Sequence, residues 1–354
     1  MKDKVRVAVV GTGWWATATH IPALRENPHA DLVALCDANA ERLDAAAHAY
    51  GIEVTYTDHR ALLAAERPDA VIVATTHATH FVVAQDCLNA GAHVLVEKPM
   101  TLHAADAQAL TELAAQRGLS LLVGYPWNYS PQAQRVRDVV TSGQLGVVQF
   151  VNCVFNSYNT DLIGGTGRSY PPSEYPVHGP GDVYSKKEHS GGGHGHLQIT
   201  HAAGLLFCVT GLRIHSVQAR MANHGLPLDL VDAMTVEFAG GALGVVGGTS
   251  NSFIPKLDLY IGCAAGSVDM DMRMGTVLIH FADGTHEEVG PYENTYLRFA
   301  PAANLIAAAR GVEAPVPAGE VGWRAVELLD AAYRSAEADG RAVLLDELYG
   351  ATQG

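Results

Sequence analysis

The apolar run Val5–Val10 ends directly in Gly11-Thr12-Gly13-Trp14-Trp15-Ala16, and this junction constrains the first third of the chain more than any other feature. A strand that stops at two glycines and a small residue predicts a tight turn into a helix. Gly11 takes the turn, Gly13 lets backbone approach a pyrophosphate, and Ala16 allows close helix-strand packing. The phosphates would then lie at a helix N-terminus. Further apolar runs at 32–36, 70–74, His93–Val96 and 119–124 alternate with helical stretches at Ile21–Glu26, Ala40–Tyr50, 60–66, 81–90 and Ala104–Arg117. That alternation predicts a doubly wound parallel sheet of the α/β class. Asp37 closes the second run, 26 residues after Gly11. An acid there accepts hydrogen bonds from adenosine ribose hydroxyls and repels a 2′-phosphate, which favours NAD. Arg42, close by, keeps NADP open.

After Tyr125-Pro126 the period changes from helical to two. Long alternating segments at 147–158, 215–223, 228–238, 242–249, 257–262 and Thr276–Phe281 predict antiparallel strands with one covered face, an α+β unit. Helical stretches at 195–210 and 320–338 accompany them. Two domains are expected, 1–124 for the dinucleotide and 125–354 for substrate and oligomer contacts. Residues 161–193, rich in Gly, Pro, Ser, Tyr and His, have no period and predict a functional loop. With 23 Lys and Arg against 37 Asp and Glu, the net charge of −14 opposes a nucleic-acid or anionic-membrane partner. No apolar run approaches the roughly 20 residues of a membrane span. Five scattered cysteines form neither a disulfide framework nor a thiolate zinc site, and with no secretory h-region a cytoplasmic location is expected.

Ala90 to Pro99 reads A-G-x-H-V-x-x-E-K-P, which resembles a signature of the glucose-fructose oxidoreductase and inositol dehydrogenase family, Gfo/Idh/MocA. Gly124-Tyr125 with Pro131, Gly143-Gln144-Leu145-Gly146, the run Gly191-Gly192-Gly193 with His201, and the closing Asn304-Leu305-Ile306 and Tyr333-Arg334-Ser335-Ala336 are similar to further pieces of that family. The resemblance implies an N-terminal Rossmann domain and a C-terminal domain on an open, mainly antiparallel sheet covered on one face by helices. It also implies oxidation or reduction of a sugar- or cyclitol-like alcohol, and a homodimer or homotetramer formed through that sheet.

Removing hydride from an alcohol requires a group that takes the hydroxyl proton. Lys98 follows the fourth predicted strand, and ligands of open parallel sheets bind beyond the carboxyl ends of strands. His201 is the second candidate. Relatives carry D-x-x-x-H here, but the acid position is Leu197, so proton transfer falls to Lys98 and His201, with Gln198 orienting a substrate hydroxyl. Expected cofactor contacts are Gly11, Thr12, Gly13, Trp14, Trp15, Asp37, Thr75, His77, His80, Glu97 and Lys98. Expected substrate contacts are Tyr125, Tyr184, Lys186, His194, Gln198 and His201. Tyr170, Glu174, Tyr175, His178, Asp182 and Lys187 are also chemically suited to a polyhydroxylated ring. No metal is expected, because on a helix His194 and His201 would lie about 10 Å apart and His196 would point about 140° away from His201. Two other readings stay open: a retained NAD used for transient redox in elimination, epimerisation or glycoside cleavage, and a non-catalytic dinucleotide sensor.

Overall fold

The computed structural model describes residues 4–166 and 176–350. Its first sheet contains β1 Val5–Val10, β2 Ala30–Cys36, β3 Thr55–Tyr56, β4 Ala70–Val73, β5 His93–Val96 and β6 Leu121–Val123. All pairings are parallel, in the order β3-β2-β1-β4-β5-β6. Strands such as β4, Ala-Val-Ile-Val, are buried throughout, as a parallel sheet covered on both faces requires. The crossovers are α1 Ile21–Glu26, α2 Ala40–Tyr50, α3 His59–Glu66, α4 His80–Asn89 and α5 Ala104–Arg117. Side chains close their first turns: Asn39 accepts from the Arg42 backbone N–H and Asp58 from that of Arg60. Strand order reverses between β1 and β4, which opens a crevice at their carboxyl ends. The first crossover differs from the expected continuous helix: a π-helical turn, Ala16–His20, precedes α1.

The remainder contributes α6 Pro131–Thr141, β7 Val148–Tyr158, α7 Thr160–Ile163, α8 Lys187–Ser190 and α9 Thr200–Thr210, which is entered through a second π-helical turn, Gly195–Ile199. Then come β8 Ile214–Ala222, β9 Val231–Phe238, β10 Leu243–Thr249, β11 Asn251–Cys263, β12 Gly266–Asp271, β13 Thr276–Phe281, β14 His286–Val289, α10 Ala300–Ala309, α11 Gly319–Glu337 and β15 Val343–Leu344. The nine strands run β14-β13-β12-β11-β7-β10-β9-β8-β15, antiparallel except where β7 meets β10. One face buries Val151, Cys153, Phe155, Val217, Val236 and Leu259 against α9 and α11. The other leaves Phe150, Leu243, Val245 and Tyr260 exposed. Helix α10 crosses the division expected at 124/125, since its Ala302, Leu305 and Ile306 pack with Val7, Leu35 and Ile72 of the first sheet. Among the described residues no helix is long and apolar enough to cross a membrane.

Candidate active site

The carboxyl ends of β1, β2 and β4 converge on the glycine turn. Gly11 donates its N–H to the Cys36 carbonyl at 2.8 Å and adopts φ +96°, and a Cβ there would lie 2.4 Å from the Ala74 carbonyl oxygen. Only glycine satisfies both conditions. A Cβ on Gly13 would meet only the tip of Arg42, at 4.0 Å, so that side of the turn is open. Asp37 is fixed from beneath: Thr12 donates its N–H and hydroxyl to Oδ2 at 2.8 and 3.2 Å, and Asn39 donates its N–H to Oδ1 at 2.9 Å. Arg42 Nε stands 3.9 Å from the same carboxylate. Thr12, expected as a cofactor contact, is fully buried and instead sets Asp37.

A cavity of about 1230 Å³ runs from Asp37, Asn39 and Arg42 past Gly11, Gly13 and Trp14 to Glu97, Lys98, Gln198, His201 and Tyr296. That exceeds the roughly 300–1,000 Å³ of ordinary ligand pockets, giving room for a dinucleotide and a second molecule. The open turn at one end and the pre-set carboxylate beside it are the groups a dinucleotide needs.

Glu97 and Lys98 follow β5. Glu97 is buried, and its Oε1 accepts from Trp15 Nε1 and lies against His20 Nε2, both at 2.9 Å, while Oε2 accepts the Lys98 N–H at 3.1 Å. Burial alone would push its carboxyl up, but His20, the Lys98 charge and Trp15 together hold it below the usual range. Glu97, expected at the cofactor, thus braces the glycine turn against the lysine. Burial lowers the Lys98 ammonium, opposed by the Glu97 charge. Its Nζ donates to the Leu197 carbonyl at 3.2 Å. That carbonyl belongs to the second π-helical turn, a form found mostly as single turns at functional sites.

His201, the second residue of α9, sits in an aromatic cage of Tyr125, Trp127, Phe155 and Tyr296 at centroid distances of 5.2–6.3 Å. Its Nδ1 is sealed with no partner. Burial, then the Lys98 charge, hold it well below the ordinary histidine value, so the ring is neutral. The Leu197 side chain, at the position where the resemblance implies an acid, packs with Leu162, Ile163, Leu228 and Leu230.

The loop after β4 brings Thr75, His77 and His80 to the cavity. His77 Nδ1 lies 2.9 Å from the Ser190 carbonyl, with the Tyr184 ring 5.5 Å away, so it latches the two halves together. His80 spans the Pro99 and Thr75 carbonyls at 2.8 and 3.2 Å and ties one loop to the other. Tyr184 and Gln198, two of the expected substrate contacts, line the cavity.

Three expected substrate contacts lie elsewhere. Tyr125 is buried under α9, where Gly204 leaves room for its ring and its hydroxyl meets Thr200 at 2.9 Å. His194 turns back to Ser250 at 2.8 Å, away from the cavity, and burial pushes it down to about 4. Lys186 is half-buried and paired with Asp182 at 2.6 Å, and Lys187 pairs with Glu337. Tyr170, Glu174 and Tyr175 lie outside the described residues. The histidines near the glycine run have separate surroundings: His196 stacks on Tyr333 at 4.6 Å, while His194 and His201 sit as above.

Sequence reasoning missed Trp127, Asn159 and Tyr296, which line the cavity, whereas Leu162 and the strap 177–183, with His178 and Asp182, line it from within the loop expected to be functional. Tyr296 follows β14 in a stretch without periodicity, so no local pattern marks it. His20 and Glu97 are 77 positions apart, and only the fold joins them.

Residues 5–125 match the model of an oxidoreductase family with an NAD-binding Rossmann fold, and residues 133–269 match the GFO/IDH/MocA C-terminal domain. D-apiose dehydrogenase of Paraburkholderia graminis is 37% identical over 139 residues, 39% of this chain and 37% of that protein. D-glucoside 3-dehydrogenase of Escherichia coli is 31% identical over 144 residues, 41% of each. The matched stretch thus spans less than half of these curated relatives. GenD2 from gentamicin A biosynthesis, solved in complex with NAD, superposes with a TM-score of 0.77 at 25% identity over 97% of both chains.

Proposed function

The chain belongs to the Gfo/Idh/MocA family of oxidoreductases, and from that premise we propose that it moves hydride between a nicotinamide dinucleotide and a secondary alcohol or ketone of a sugar or sugar derivative. One observation carries the reading: a half-buried lysine just past the carboxyl end of β5 shares a cavity with the open glycine turn and the pre-set Asp37. The relatives named above, two sugar dehydrogenases and an NAD complex, support it.

When bound, the dinucleotide supplies the hydride acceptor. The Gly11–Gly13 turn would take its pyrophosphate, and the free lone pairs of Asp37 would take the ribose hydroxyls, which favours NAD. Arg42, already facing Asp37, leaves NADP as a weaker choice. Lys98 receives the hydroxyl proton as the carbonyl forms, because burial favours its neutral amine. The Leu197 carbonyl aims the Nζ, and Glu97 fixes the backbone from which it extends. His201, neutral and caged, offers a hydrogen bond rather than a charge, and Gln198 orients a neighbouring hydroxyl. A cytoplasmic location, and a homo-oligomer built on the exposed sheet face, complete the proposal.

Replacing Lys98 by alanine is the test. Turnover of the best sugar in a panel is expected to fall by about 10²- to 10⁴-fold, the usual contribution of a positioned acid or base, while dinucleotide affinity measured by calorimetry stays intact. Unchanged turnover would remove Lys98 from the chemistry.

A further inference from the structure

Five aromatic rings form an unbroken wall of the cavity. Trp14 meets Trp15 with centroids 5.3 Å apart, Trp15 meets Tyr296 at 6.2 Å, Tyr296 meets Trp127 at 4.6 Å, and Trp127 meets His201 at 5.2 Å. All five border the open space. The wall begins where Trp15 bonds Glu97, the residue before Lys98, and ends at the caged histidine, so it runs past the reacting lysine. Its first two rings come from the glycine turn and belong with the dinucleotide. Trp127 and Tyr296 come from the C-terminal half and belong with the substrate. Leu162 and Leu197 extend the apolar lining, while Asn159 and Gln198 supply polar groups beside it.

Charge narrows the ligand further. Among the described residues lining the cavity, Arg42 and Lys98 are the only arginine and lysine. Arg42 faces Asp37 at the glycine turn, and Lys98 is held by the Leu197 carbonyl. Among the described lining residues, a phosphate or carboxylate on the substrate would therefore meet no free arginine or lysine, and unpaired charge away from water is costly.

Resting on the hydride-transfer reading, we infer that the substrate is an uncharged glycoside with an aromatic aglycone. The sugar meets Lys98, Gln198 and Asn159, and the aglycone ring packs on Tyr296 and Trp127. Offset and edge-on ring contacts, the geometry already present along this wall, add affinity beyond the area they bury.

The test is calorimetry on the NAD-loaded protein with three probes: phenyl β-D-glucopyranoside, methyl β-D-glucopyranoside and glucose 6-phosphate. The phenyl glucoside is expected to bind about tenfold more tightly than the methyl glucoside, the upper range of one ring-ring contact, and the phosphate not at all. Tyr296→Leu should remove most of that preference, whereas Tyr296→Phe should keep it, with NAD affinity unaltered in both. A methyl glucoside bound as tightly, a phosphate bound best, no binding of the phenyl glucoside, or a preference indifferent to Tyr296→Leu would each overturn the inference. The same titrations without dinucleotide keep it separable. Failure of the wild-type protein to bind either dinucleotide would defeat the hydride-transfer reading, while the order of the glycosides would still decide this one.

Discussion

Leu197 stands where the family resemblance leads one to expect an acid, and its surroundings explain why leucine suits this chain. The side chain is buried in an aliphatic cluster with Leu162, Ile163, Leu228 and Leu230, while its main-chain carbonyl holds Lys98. One residue thereby supplies packing and orientation from different atoms. Leu197→Asp would place a carboxylate in that cluster and leave a void. We expect a loss of about 3 kcal/mol in unfolding free energy, from the combined packing and desolvation costs, with turnover reduced rather than improved. Urea unfolding and steady-state kinetics on the one variant check both, and a faster, equally stable variant would show that the wild-type site lacks an acid it needs. At this scale the sequence was informative where chemistry follows backbone position. Asp37, Lys98 and Gly11 stand at strand ends, so their placement could be read from the alternation of runs. Tyr125, His194 and Lys186 could not be read that way, because closeness to a motif along the chain does not fix where a side chain points.

The second π-helical turn is the element that assembles the site, and its N-terminal end is held by an acidic residue from the far side. Asp229 accepts the N–H groups of Gly193 and Gly195 at 2.7 and 2.9 Å and the Tyr333 hydroxyl at 3.0 Å. Gly193 is required there, since a Cβ would fall 2.1 Å from the Asp229 carbonyl oxygen. Beside it Asp232 is buried, with no donor reaching either oxygen. Burial first, then the neighbouring Asp229, raise its carboxyl well above the ordinary value of 3.8. The native state therefore holds a proton that the unfolded chain releases. This stabilisation is complete below pH 3.8 and is lost as pH rises from there through the raised native value. Asp232→Asn keeps a neutral side chain at every pH. Its thermal midpoint is expected to exceed that of the wild type at neutral pH, with the advantage shrinking toward acid, as scanning calorimetry across pH would reveal. A variant less stable than wild type at neutral pH would contradict the assignment. None of this support was legible beforehand, because Asp229, Asp232 and Tyr333 reach the turn only through sheet and helix packing.

At the scale of the whole molecule, the two sheets place their chemistry and their exposed apolar surface on different sides. The cavity lies between the halves, whereas Phe150, Leu243, Val245 and Tyr260 form a patch on β7, β10 and β11, with Phe150 opposite Leu243 in register. At the other end of β7, Phe253 and Ile254 project from the start of β11, 82% and 79% exposed, with Phe253 stacked on Tyr158. Contiguous apolar area on a sheet face marks an interaction surface. Sedimentation is expected to give a multiple of the 37.5 kDa chain mass, and Val245→Asp to shift it toward the monomer. A wild-type chain that stays monomeric at all concentrations would contradict this. The broad architecture could be anticipated because strand and helix periods are local. Helix α10 could not, since its apolar face is completed by Val7, Leu35 and Ile72 of a sheet near the start of the sequence.

The central claim is that this cavity sets a sugar carbon against a nicotinamide ring beside Lys98. Label transfer tests it most directly: the protein is incubated with NAD and the best sugar of the panel, deuterated at the carbon being oxidised, and the recovered NADH is examined by mass spectrometry and NMR. The account predicts one deuterium on the nicotinamide ring, from one face only, in wild type, and its near disappearance with Lys98→Ala. NADH free of label, or no reduced dinucleotide from any sugar, would contradict it.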